Sequence, residues 1–234
     1  MLRAIVCAIL LIGAYPAWAA EVLKKIPGEL SPDKAYVVVE VRHFSAIAGT
    51  DQPGNIVLAR YDAEAGDIRG GTRAPGSRLR TGVPVRLQVT NRAIIKAKAS
   101  RLYFIELEPD DWVIEGTAGT AFSLGSVGFT LEPGAVVDLG VLSPRLDWRE
   151  GDRPDTMGDV FGRAMLGVFA KKVDPTPAML DVSERNAGDI PLPAALANKA
   201  VRPVVYTSGQ KFGNYLGGLI NRIDGRKGRQ AATQ

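Results

Sequence analysis

The carboxylates Glu106, Glu108, Asp110, Asp111 and Glu115 crowd into one short stretch of the 234-residue chain. Two carboxylates at a suitable separation hydrolyse glycosides, one as acid and the other as base or nucleophile, so this stretch is the candidate for enzymatic chemistry. Glu106 and Glu108, two apart on an extended strand, share a face. On a half-buried sheet that is ordinarily the solvated side, and Asp110 and Asp111 suit a turn, where aspartates bond the backbone. The structural reading is therefore preferred to the catalytic one. Trp112 follows directly; it could stack on a sugar, although a core or seam anchor is the commoner use of such a residue.

His43 is the single histidine. A general base needs a nucleophile and an orienting partner, and neither lies near it in the sequence. One histidine also leaves no basis for the usual transition-metal clusters, and no aspartate-rich calcium loop is present. Gly70-Gly71 lacks the Lys-Ser/Thr of a phosphate loop. No cofactor or metal is expected.

Residues 1–20 have one charge at Arg3, an apolar run over 4–14, a breaker at Pro16 and the small-residue triplet Ala17-Trp18-Ala19. This is the layout of a secretory signal, cut after Ala19 or Ala20. The run is too short for a membrane span, which takes about 20 residues. Cys7, the lone cysteine, lies inside it without the leucine and small residue of a lipoprotein site, so the exported chain would carry no cysteine and no disulfide. A periplasmic or extracellular location is expected. The formal net charge of +4 suits an anionic polymer or plain solubility. Nucleic acid is not expected, since no basic-aromatic patch occurs.

The elements that must position these groups read as strands. Residues 36–44 (YVVVEVRHF) alternate, with Glu40 and Arg42 on one side only, as in a half-buried strand. Residues 55–61 and 85–89 are further strands, and 93–99 is ambiguous. From Arg101 to Pro144, four apolar runs broken by Pro-Asp-Asp, Leu-Gly-Ser and Glu-Pro-Gly suggest an antiparallel meander. Between 62 and 84 lies a long loop bearing Arg69, Arg73, Arg78 and Arg80. The expected domain is an antiparallel β-sandwich over 31–146, of immunoglobulin- or transthyretin-like design.

A charged linker is expected over 147–155, then a helical extension over 156–223 and a basic tail over 224–234. Thr156 and Asp159 have the spacing of a capping box, followed by apolar residues at helical spacing from Met157 to Val168. A second apolar stripe at helical period runs from Phe212 to Ile223. Gly158 and Gly162 echo Gly213 and Gly217 at the same spacing, which would let two helices approach closely. Arg222, Arg226 and Lys227 beside that stripe permit attachment to a membrane surface.

The pattern of an apolar strand, Leu107-Glu108-Pro109, an acidic turn and a second apolar strand, followed later by Glu132-Pro133-Gly134, resembles small β-sandwich domains of bacterial envelope lipoproteins and PEGA-type surface domains. Asp110 stands where their first turn has glycine. The resemblance implies a β-sandwich in the envelope and carries no catalytic residues. The expected function is a non-catalytic envelope binding or structural module for a protein or polymer partner. The alternatives are a carbohydrate-active hydrolase using carboxylates between Glu106 and Glu115, and a peripheral membrane protein held by the C-terminal basic helix.

Overall fold

The computed structural model describes residues 20–45, 50–69, 85–148, 157–166, 175–213 and 218–225. It is mainly β, with strands β1 (Ala20–Leu23), β2 (Ala35–Arg42), β3 (Ile56–Asp62), β4 (Asp67–Ile68), β5 (Arg86–Val89), β6 (Ile95–Lys96), β7 (Ser100–Leu107) and β8 (Asp111–Thr117). There follow β9 (Thr120–Ala121), β10 (Ser126–Thr130), β11 (Val136–Leu146), helix α1 (Met157–Leu166), β12 (Ala178–Ser183), β13 (Val201–Pro203), β14 (Thr207–Gln210) and β15 (Leu219–Ile220).

Two sheets result. The first has seven strands, ordered β1-β7-β2-β11-β12, with β13 beside β11 and β6 beside β7. The second has eight, ordered β14-β10-β8-β3-β4, with β5 on β3, β9 on β8 and β15 on β9. Both are mixed rather than antiparallel throughout: β11 runs parallel to β2 and to β13, and β15 runs parallel to β9. A parallel pair needs a crossover. Here the path from β2 to β11 makes it by passing through the second sheet. The same crossing corrects the meander, because β7 and β8 lie in different sheets and the Pro109-Asp110 turn steps between them.

Period-two alternation sorts the side chains. Val37, Val39 and Val41 of β2 share a core with Ile56 and Leu58 of β3 and Trp112 and Ile114 of β8. Their alternates are not in water, as the sequence suggests, but in two further clusters. Tyr36 and Val38 pack with Phe104, Val136, Ile190 and Leu196 on the far side of the first sheet. Ala59, Tyr61, Val113 and Phe212 do so on the far side of the second. The covering residues come partly from the C-terminal third and partly from Ile26, Leu30 and Ile94, so both faces of β2 are closed and Glu40 is only 2% exposed.

Among its described residues that third is helical at α1, where the capping-box spacing predicts a helix, but it is not a helical extension throughout. It supplies β12 and β13 to the first sheet and β14 and β15 to the second, with a 3-10 turn at Ala194–Leu196. The helix expected up to Ile223 is replaced by β15. Gly218 takes φ +94° and lies so close to the Gly119 carbonyl that a side chain there would collide with it. Such a backbone suits a strand entry and not a helix. Residues 214–217, the tail from 226 and the loop 70–84 with Arg73, Arg78 and Arg80 fall outside the described residues. Within the expected loop, Asp67 and Ile68 form β4 and are fully buried.

Candidate functional site

The acidic stretch does not converge. Glu108 pairs with Lys34. Asp110 takes a two-pronged contact from Arg69, Nε at 2.9 Å and Nη2 at 2.8 Å, and a further one from Arg60 Nε at 2.6 Å. Asp111 accepts a hydrogen bond from the Thr130 hydroxyl at 2.6 Å, and Glu115 one from Arg86 Nε at 2.7 Å. Glu106 sits across from Tyr36 in the β2–β7 register. These partners come from separate segments of both sheets, so the carboxylates are distributed among different neighbours, three of them in ion pairs. Trp112 is fully buried, and its indole N–H donates to the Glu108 carbonyl at 3.0 Å. It anchors the crossing between the sheets and offers no face for a sugar.

His43 stands at the neck of a loop that the Phe44–Gln52 bridge closes. Its Nδ1 lies 3.0 Å from Asp51 Oδ2, while Nε2 is buried without a hydrogen-bond partner among the described residues. An orienting carboxylate is present, but among the described residues no nucleophile bonds the other nitrogen.

A clasp that the sequence did not reveal centres on Arg185. Its Nη1 bonds Glu40 Oε2 at 2.9 Å and the Ile190 carbonyl at 2.9 Å, and its Nε and Nη2 fork onto Asp138 at 2.9 and 3.0 Å. The Ile190 N–H donates to the same Glu40 oxygen at 2.9 Å. Burial works against the guanidinium charge, but hydrogen bonds and charges from Asp138 and Glu40 outweigh it and hold the pKa above the usual arginine value. Nearby, the Asn186 N–H and then Arg42 hold the Asp189 carboxyl below the usual range. These contacts lock β2, β11 and the segment after β12 together, which is a structural task.

The remaining expected interaction residues are scattered. Gly213 donates its N–H to Asp67 Oδ1 at 3.0 Å, and Arg222 lies 3.4 Å from Asp224. Gly217, Arg226, Lys227 and Ala19 lie outside the described residues, while Ala20 opens β1 opposite Leu107. The glycine echo does not bring two helices together: Gly162 has open space around its Cα, and Gly213 precedes no helix among the described residues.

Helix α1 gives a clearer signal. Met157, Phe161 and Met165, spaced i, i+4, i+8, share one face. They are 59%, 67% and 74% exposed. Ala164 beside them is exposed too, and nothing lies within 4 Å of where a Gly162 side chain would stand. These three apolar side chains thus face outward, the reverse of the arrangement expected of a helix packed on a core. The sequence showed the stripe but not which way it faces.

Among the described residues no group of histidine, cysteine or carboxylates could hold a metal ion, and no helix is long and apolar enough to cross a membrane. No protein-family model, curated protein or solved structure matches the chain.

Proposed function

We propose that the chain is an exported cell-envelope protein whose two sheets form a mixed β-sandwich, and that it binds a partner protein through α1. The observation that carries this reading is the outward stripe of Met157, Phe161 and Met165. Exposed apolar patches of this kind mark interaction surfaces, and methionine adapts to a partner's contours. A lipid surface is a poorer match. Arg149, Arg153, Arg163, Lys171 and Lys172 are balanced by Glu150, Asp152, Asp155, Asp159 and Asp174, so the segment around α1 has no net positive charge to draw it to anionic headgroups.

Two features support export to the envelope. The signal-like layout of residues 1–20 ends where β1 begins, and a cut after Ala19 leaves that strand whole. The Glu132-Pro133-Gly134 turn, with Gly134 at φ +74°, fits the turn on which the resemblance to small envelope domains rests.

The test replaces Met157, Phe161 and Met165 together by glutamine and follows retention in washed envelopes. Each buried apolar side chain contributes about 1.5–3 kcal/mol, so retention is expected to fall at least tenfold while thermal unfolding is unchanged. Undiminished retention would overturn the α1 reading, and so would binding of the chain to protein-free anionic vesicles that the substitutions abolish.

A further inference from the structure

A cavity of about 490 Å³ opens where β1, at a border of the first sheet, comes alongside β5 and the turn that follows it in the second. Val22 and Leu87 supply apolar surface to its lining, and Gln88 and Asn91 supply side-chain amides. Both amides are exposed and make no hydrogen bond to the described residues. Glu21 and Arg92 pair across the gap between the sheets, so the charged residues in the lining cancel.

The turn is held in an unusual shape. Arg92 has φ +65°, a left-handed conformation that side-chain-bearing residues seldom adopt. Its ion pair to Glu21 and the Tyr103 hydroxyl, which donates to the Thr90 carbonyl at 3.1 Å, fix the turn on both sides. Backbone strain of this kind persists where surrounding contacts enforce it, and it recurs at ligand clamps.

We propose that this cavity binds a neutral glycan segment, with a sugar ring resting on Val22 and Leu87 and its hydroxyls bonded by the amides of Gln88 and Asn91. The volume is in the range of small-molecule sites, large enough for a ligand of a few rings. A sugar presents an apolar ring face together with hydroxyls that both donate and accept, and an amide answers both. An anionic ligand finds Arg92 already neutralised by Glu21. A wholly apolar ligand would desolvate the amides without replacing their hydrogen bonds.

The experiment titrates the purified chain with cellobiose, maltose and N,N′-diacetylchitobiose as neutral probes. Digalacturonate and a short extended peptide serve as competitors, and saturation-transfer NMR and calorimetry give the readout. At least one neutral disaccharide is expected to bind. The paired substitution Gln88→Ala/Asn91→Ala is expected to weaken it about tenfold or more, the worth of two hydrogen bonds, with the melting temperature unchanged. The glutamine-substituted α1 variant should bind the sugar as well as the unaltered chain does, which keeps this site separate from the partner surface. The proposal is overturned if no neutral probe binds at millimolar concentration, if the amide substitutions leave binding intact, or if digalacturonate or the peptide binds more tightly.

Discussion

Arg185 bridges two carboxylates on neighbouring parallel strands, Glu40 of β2 and Asp138 of β11. Replacing it by methionine keeps the stem but leaves both acids without their cation, and Glu40 is only 2% exposed. Breaking a buried pair from one side costs about 3–5 kcal/mol, and urea unfolding of Arg185→Met should show a loss of that order. A loss under about 1 kcal/mol would mean that solvent already screens the clasp. Glu40 illustrates what single residues conceal in a sequence. Alternation placed it on the side of β2 opposite Val37, Val39 and Val41, which was correct. Whether that side meets water depends on Arg185 and Ile190, some 150 positions later, and no local pattern reports them.

At the scale of elements, β11 is the strand on which the first sheet turns. It pairs with β13 through Val136–Asp138 and with β12 from Val141 onward, and its register against β2 slips between those stretches. Gly140 sits at the slip with φ +76°, its N–H donating to Asp138 Oδ1 at 2.8 Å, and a Cβ there would overlap the Ser183 carbonyl oxygen. Gly140→Ala should therefore cost about 2–4 kcal/mol, against about 1 kcal/mol for Gly119→Ala, where φ is +74° but the space is open. Chemical denaturation of the two variants side by side checks the ordering, and equal losses would show that the close approach to Ser183 is not the cause. The apolar runs revealed β2, β3, β5, β7, β8, β10 and β11 because each is long enough to alternate. They did not reveal which sheet each strand joins, since a Pro-Asp turn between sheets and one within a sheet use the same residues. The strand β12 was hidden among the prolines of a connector, β13 to β15 hold few apolar residues, and at the last of them a helical stripe outvoted the glycines that oppose it.

For the whole molecule, the core is completed from the far end of the chain. Leu180 belongs to the main cluster, Ile190 and Leu196 to the one behind the first sheet, and Phe212 to the one behind the second. A fragment ending after Trp148 would keep the strands assigned from sequence to a 31–146 domain but would expose β11 and β10 along the edges where β12 and β14 pair. Unpaired, apolar strand edges invite aggregation. That fragment is expected to lose cooperative thermal unfolding and to aggregate, as read by calorimetry and light scattering. A cooperative, monomeric fragment would instead restore the boundary read from sequence. The candidate cavity was illegible for a related reason: it lies between two borders that the sequence cannot bring together, although Gln88, Asn91 and Arg92 are adjacent in the chain.

The parallel pairing of Tyr36 with Val136 has a further consequence, for the order of assembly. During synthesis β2 emerges well before its neighbour exists, and contacts so distant in sequence form slowly because a long loop must close first. Until the closing residues arrive, the nascent chain presents bare ladders of N–H and C=O groups and uncovered valines. A polypeptide built this way gains its full core only once residues 178–212 have been made, the timetable that the proposed export would require.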